Sequence, residues 1–158
     1  MKKLIIFDLD DTLSSTADRA WIVEQKEKSP YKKDYFDHFE SHCIFDKPIE
    51  SMVNVLHAHM DAGDEVRFWS GRSIKTKELT ITWLKTHTRI QVPYLDDDHL
   101  KLRPVGDYSK STALKASWYR ELSLEEKTRI TMFYDDDERN INMWKAMGLP
   151  TTLVSARQ

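Results

Sequence analysis

Leu4-Ile5-Ile6-Phe7-Asp8-Leu9-Asp10-Asp11-Thr12 decides how the chain is read. Four consecutive apolar residues have the pattern of a strand buried on both faces, as in a parallel sheet. Alternation puts Asp8 and Asp10 on the same side as the chain leaves that strand. Two carboxylates so placed are costly without a cation. One can be metal ligand and nucleophile while the other, with its proton affinity tuned separately, acts as acid and base. A lone Asp there reads more readily as a helix cap, so the other strand ends carry the decision.

Three further runs resemble the first. Glu65-Val66-Arg67-Phe68-Trp69 leads into Ser70-Gly71-Arg72, and Ile130-Thr131-Met132-Phe133-Tyr134 leads into Asp135-Asp136-Asp137. Thr151-Thr152-Leu153-Val154 lies near the end, and Ile90-Gln91-Val92-Pro93-Tyr94-Leu95 is a weaker strand. Helical periodicity fills the intervals through Ile49, Met52, Val53, Leu56 and Met60, through Leu114 and Trp118, and through Ile141, Trp144 and Met147. Gly63 and Gly148 stop the first and last of these helices, and all four glycines read as punctuation. Strands alternating with helices predict an α/β fold: a three-layer, Rossmann-like arrangement around a central, mainly parallel sheet, with ligands at the carboxyl ends of its strands.

A length of 158 residues suits one domain spanning 1–158. Residues at about 14–48 form a polar, aromatic-rich, cap-like insertion after the first strand. No apolar run approaches the ~20 residues that span a bilayer. The four glycines match neither a dinucleotide-binding fingerprint nor a phosphate-binding loop of the kinase type. A formal net charge of −2, from 24 basic and 26 acidic residues, gives no global attraction to nucleic acid or anionic membrane, so a polyanion must be held locally. Cys43 is the single cysteine, which excludes an internal disulfide and fits a reducing, cytoplasmic setting. The apolar run after Met1-Lys2-Lys3 is too short for a signal peptide, and no processing is expected.

The remaining strand ends carry chemistry in order. Ser70-Gly71-Arg72 offers a hydroxyl, flexible backbone and a guanidinium to phosphate oxygens. Lys115 is a point charge able to join phosphate to nucleophile, and Asp135-Asp136 is a hard oxygen pair suited to Mg²⁺. Each feature alone has a plain structural reading as a turn, a solvated lysine or a helix start. Four such endings in sequence are hard to obtain by chance.

The ordered D-x-D-x-T, serine, lysine and acidic pair resemble the haloacid dehalogenase (HAD) superfamily. The resemblance implies that Asp8 attacks phosphorus to give an aspartyl-phosphate, and that Asp10, oriented by Thr12, protonates the leaving oxygen and later activates water. It implies further that Ser70 binds a phosphoryl oxygen, that Lys115 neutralises the phosphoryl group and Asp8, and that Mg²⁺ is held by Asp8, the Asp10 carbonyl, and Asp135 or Asp136. A finer pattern extends over most of the chain: Ser70-Gly71-Arg72, Arg103-x-x-Gly106-Asp107 with Lys115 twelve residues after Arg103, and Asp135-Asp136 with Trp144 nine residues after Asp135. It resembles the phosphatase domain of polynucleotide kinase/phosphatase, which removes 3′-phosphates from nucleic-acid ends. That resemblance carries Arg72 into the active site and makes Gly71 and Arg103 substrate-binding. With no kinase loop, the phosphatase part alone is expected. Ser109 and Ser111 stand where the family tends to show Arg and Asp; Lys110 is placed to replace the lost charge, and either serine can cap the helix.

About 35 residues between Thr12 and Ile49 build only a helix or two, so the site is expected to be open to phosphorylated nucleic-acid ends or nucleotides. Lys26, Lys28, Lys32 and Lys33 lie among Tyr31, Tyr35, Phe36 and Phe39, a mix that either holds strand and base or merely packs the insertion. His57 and His59, two apart on a helix, face different directions and receive no role, and Asp96-Asp97-Asp98 reads as a solvated loop. The alternatives are a nucleotide monophosphatase of the same superfamily and, more remotely, a phospho-accepting receiver domain. In a receiver the acidic pair comes first and the acceptor Asp mid-chain, which is the reverse of the order here.

Overall fold

A computed structural model describes residues 1–24, 35–91 and 95–155, and the side chains of Tyr35 and Phe36 are not among the groups described. In chain order the elements are β1 (Leu4–Phe7), β2 (Ser14–Ser15), α1 (Ala20–Glu24), α2 (Tyr35–Ser41), β3 (Lys47–Pro48), α3 (Glu50–Asp61), β4 (Glu65–Ser73) and α4 (Lys77–His87). They continue with β5 (Leu100–Arg103), α5 (Ser111–Glu121), α6 (Leu124–Arg129), β6 (Ile130–Asp135), α7 (Glu138–Ala146) and β7 (Thr151–Leu153). The main sheet is ordered β5-β4-β1-β6-β7, and its strand pairs are parallel.

All four residues of β1 are buried, and their alternation divides them between two cores. Ile5 and Phe7 pack with Val53, Leu56, Phe68, Trp83 and Leu84, so α3 and α4 cover one face. Leu4 and Ile6 pack with Trp69, Leu114, Trp118, Phe133 and Trp144, so α5 and α7 cover the other. Helices on both faces of a parallel sheet make the three layers expected. Trp144 is core rather than site: its ring stacks on Phe133 with centroids 4.2 Å apart.

The chain runs outward from β1 through β4 to β5, then crosses β1 to continue through β6 to β7. The connections diverge between β1 and β6, so the crevice at the carboxyl ends of those two strands is where a ligand fits. Asp8 and Asp135 sit there, and the Asp8 N–H donates to the Tyr134 carbonyl at 2.9 Å.

The sequence reading needs three corrections. The edge strand is Leu100–Arg103; Ile90, Gln91 and Leu95 are not in a strand, and Val92, Pro93 and Tyr94 lie outside the described residues. Leu100 and Leu102 alternate into the core where a proline-bearing segment has no ladder donor at Pro93. β4 runs on through Ser73, so Ser70, Gly71 and Arg72 belong to the strand and Gly71 is not punctuation. Helices α4 and α6 carry no strong apolar stripe: α4 buries Thr80 beside Trp83 and Leu84, and α6 buries nothing. The insertion holds α1 and α2 and is closed at its base by antiparallel pairing of β2 with β3. Its Lys26, Lys28, Tyr31, Lys32 and Lys33 lie outside the described residues.

Candidate active site

Alternation along β1 and β6 brings Asp8 and Asp135 to the face that α5 covers, where Lys115 is 3% exposed. Its Nζ donates to Asp135 Oδ2 at 2.6 Å and to Asp8 Oδ1 at 3.1 Å. Burial works against charge on this ammonium, yet Asp8 and Asp135 outweigh it and hold the pKa above the ordinary lysine value. Asn140, on α7, donates through Nδ2 to Asp135 Oδ2 at 3.0 Å and to Ser111 Oγ at 3.2 Å. The Asp137 side chain caps α7 by accepting from the Arg139 N–H at 2.9 Å. Thr12 does not orient Asp10 as expected: its hydroxyl lies 3.5 Å from Asp8 and 3.4 Å from Asp136. The tight turn after β1, with Asp11 at φ 59°, directs Thr12 inward and leaves Asp11 accepting from the Thr16 N–H.

Asp10 is oriented by two arginines instead. Its Oδ1 accepts from Arg72 Nη2 at 2.7 Å, Arg72 Nε at 2.9 Å and Arg19 Nη2 at 2.6 Å. Burial raises the pKa of this carboxyl, but Arg72 and Arg19 overcome that and hold it below the usual carboxylate value. Both guanidiniums also meet Asp46, at 2.9 Å from Arg19 and 3.5 Å from Arg72. This four-residue network crosses from β4 to the insertion. Arg72 was expected to face phosphate, but its remaining donors reach Ser14 at 2.8 Å and Thr80 at 3.2 Å, and it is 2% exposed. The Asp10 and Asp46 carboxylates draw the guanidinium inward, where it acts on Asp10.

Ser70 is buried, with its Oγ accepting from the Arg72 N–H at 3.2 Å. The Gly71 carbonyl accepts from Arg103 Nε at 3.0 Å, and a Cβ at Gly71 would come within 3.5 Å of Arg103 Nη2. Arg103 also donates from Nη1 to the Ser109 carbonyl at 2.6 Å and the Asp107 carbonyl at 3.3 Å. It ties a loop to the site strand rather than presenting a free fork. Neither Ser109 nor Ser111 caps α5, whose cap position is held by Lys110 without a side-chain bond.

Asp8, Asp10, Ser70, Gly71, Arg72, Lys115, Asp135 and Asp136 line one cavity of about 200 Å³, with Phe39 and Glu40 of α2 at its edge. Asp8, Asp135 and Asp136 each turn a carboxylate oxygen to a common point, all within 4.8 Å of one another, a set able to hold a metal ion. The electrostatics agree. Burial first, then Asp135 and Asp136, push the Asp8 pKa well up against the pull of Lys115, while burial and Asp135 lift Asp136 to about 6. A divalent cation is the counter-charge that would relieve this repulsion.

Sequence reasoning missed Arg19, Asp46, Glu40 and Asn140. Arg19 and Asp46 lie in the insertion, 27 positions apart, with no local pattern to mark them. Asn140 follows the acidic run by one helical turn and had a usable signal, since a polar residue on the apolar stripe of Ile141 and Trp144 calls for a buried partner. His57, His59 and Asp96–Asp98 stay outside the site: His59 bonds Asp64 at 2.8 Å, and Asp96 caps its own turn at 3.0 Å.

Among the described residues, no helix is long and apolar enough to cross a membrane. No curated protein is a significant match to the sequence. A chain in the structure of the Pnkp1/Rnl/Hen1 complex is 25% identical, with a TM-score of 0.69 over 98% of this chain and 46% of that one. A chain of the Pnkp1/Rnl/Hen1 RNA repair complex is 24% identical, with a TM-score of 0.70 over 98% and 42%. This protein thus spans less than half the length of either. The class C acid phosphatase from Bacillus anthracis is 18% identical, with a TM-score of 0.66 over 99% of this chain and 67% of that one, a likeness of fold. Residues 2–157 match the polynucleotide kinase PNKP phosphatase domain, and with Asp8, Lys115 and the acidic pair gathered at the crevice, the chain belongs to that family within the HAD superfamily.

Proposed function

We propose that this protein is a Mg²⁺-dependent phosphomonoesterase that removes phosphate from nucleic-acid 3′ ends through an aspartyl-phosphate on Asp8. The observation that carries this reading is the cavity around Asp8, where Lys115 spans Asp8 and Asp135 at 3.1 and 2.6 Å. Family membership across residues 2–157 supports the 3′-end substrate. Asp8, Asp135 or Asp136, and the Asp10 carbonyl would hold Mg²⁺, which when bound offsets the charge of phosphate against the carboxylates.

An Asp8 carboxylate oxygen attacks phosphorus, and the bond from phosphorus to the nucleoside 3′-oxygen breaks. Lys115 pulls Asp8 toward its ionised form against the burial and the neighbouring carboxylates that oppose it, and balances charge on the transferred group. Ser70 holds a phosphoryl oxygen. Asp10, held as a carboxylate by Arg72 and Arg19 in the free protein, takes up the proton of a phosphate monoester monoanion and gives it to the leaving oxygen; as carboxylate it then takes a proton from water, whose oxygen attacks phosphorus, displaces Asp8 and frees phosphate. Arg72 and Arg19 fix Asp10 by Oδ1, leaving Oδ2 to the proton, while Thr12 steadies Asp8. The segment between β2 and β3 serves as a small cap.

The test is a substrate panel with Mg²⁺: 3′-phosphorylated oligonucleotides beside free 3′- and 5′-nucleotides. Release of phosphate from the oligonucleotides is expected, and chelation by EDTA should silence it until Mg²⁺ is restored. Turnover of free nucleotides alone would make the protein a nucleotide monophosphatase.

A further inference from the structure

Beside the Asp8 cavity runs a second one of about 540 Å³, between the end of β4 and the Pro104–Ser109 loop. It falls within the ~300–1,000 Å³ of small-ligand sites. Glu40 and Gly71 line both cavities, so the two meet at the rim of the phosphate site. We infer that this groove receives the nucleoside carrying the scissile phosphate, with Tyr108 as the platform on which its base stacks. The inference rests on the phosphatase reading of the Asp8 site.

The loop backbone is fastened on both sides of Tyr108. Arg103 fastens its Asp107 and Ser109 carbonyls to the Gly71 carbonyl of β4, and Asp107 Oδ1 accepts from both the N–H and the hydroxyl of Ser109. Gly106 takes φ +81°, which allows the sharp reversal. On this fastened loop Tyr108 is 94% exposed. An apolar face held in water by a pre-ordered loop loses little entropy when a flat partner covers it, and every nucleobase offers such a face.

Charge decides which part of a nucleic acid fits. Lys75 is paired with Asp37 at 3.6 Å and Arg103 with Asp107 at 3.7 Å, while Glu40 adds a third carboxylate. Among the described residues the groove thus has no surplus of cations for a run of phosphodiesters. Carboxylates suit the N–H and O–H donors of a base and sugar instead. Glu40 is 5% exposed, and its Oε2 accepts from the Ser73 N–H at 3.0 Å. Its Oε1 meets no donor among the described residues, which leaves it for a donor of the nucleoside. One terminal nucleoside enters, and the strand behind it leaves over the rim.

The test uses the Asp8→Asn protein, so that binding is read without turnover. It is titrated with an oligonucleotide ending in 2-aminopurine 3′-phosphate and with the same strand ending in an abasic 3′-phosphate. The expected results are quenching of 2-aminopurine emission and binding of the abasic end weaker by about fivefold or more. Adding Tyr108→Ala should remove both differences, and Tyr108→Phe should keep them. Equal affinity for the two ends, or quenching untouched by Tyr108→Ala, would overturn the inference while leaving the Asp8 site standing. If neither end nor inorganic phosphate binds at all, the reading of the Asp8 site falls and takes this inference with it.

Discussion

Asp10 and Asp8 sit two residues apart yet are driven in opposite directions, Asp10 down by paired guanidiniums and Asp8 up by burial and two neighbouring carboxylates. The cost of the Asp10 arrangement is a buried charge network that depends on the insertion. Arg19→Ala would leave Asp46 buried with only Arg72, 3.5 Å away, as its cation, and breaking a buried pair from one side costs ~3–5 kcal/mol. The urea midpoint should drop accordingly; a loss under about 1 kcal/mol would mean that Asp46 relaxes to water or is held by Arg72 alone. Asp8, Asp10, Lys115 and the acidic pair were legible because each stands next to an apolar strand or on a periodic helix. Arg19 and Asp46 were not, because their meeting depends on how the insertion folds back, and the carboxylate partners that draw Arg72 inward leave no trace in local sequence.

Among the elements, β1 announced itself by an unbroken apolar run and β4 and β6 by apolar segments interrupted at Arg67 and Thr131, whereas edge strand β5, reading Leu-Lys-Leu-Arg, half hides its alternation. α6 has no buried residue and holds by its ends: Ser123 accepts from the Glu126 N–H and the Glu126 carboxylate from the Ser123 N–H. Ser123→Ala should therefore lower stability by about 1 kcal/mol, read by urea unfolding, and no change would show that packing rather than the cap holds the helix. At the opposite end of β4 from the site, burial disfavours charge on Glu65, but Arg67 and Arg129, at 3.3 and 3.1 Å, hold its pKa below the ordinary value. The folded state binds this proton less readily than the unfolded chain. The contribution is thus present above the ordinary carboxylate pKa and lost as pH falls through the depressed one. The stability gap between wild type and Glu65→Gln should be widest near neutral pH and close in acid; a gap independent of pH would refute the pairing.

At the scale of the whole molecule, the sheet order places β1 and β6 at the crevice and lets three strands, β1, β4 and β6, supply one site together with Lys115 of α5. Alternation of strands and helices made this topology readable, but not the pinch of β2 on β3 that sets the insertion's α2 against the cavity and its neighbouring groove. Transfer of the phosphoryl group from the 3′-oxygen to Asp8, as an aspartyl-phosphate, is the proposal on which the rest depends. Asp8→Asn should retain the circular dichroism of the wild type and lose turnover by roughly three orders of magnitude or more. The decisive measurement is an acid quench of the wild-type protein mixed with a labelled 3′-phosphorylated oligonucleotide and Mg²⁺, followed by mass spectrometry of the peptides. Phosphoryl label on Asp8 is the expected result; steady phosphate release with label on another residue, or on none, would contradict it.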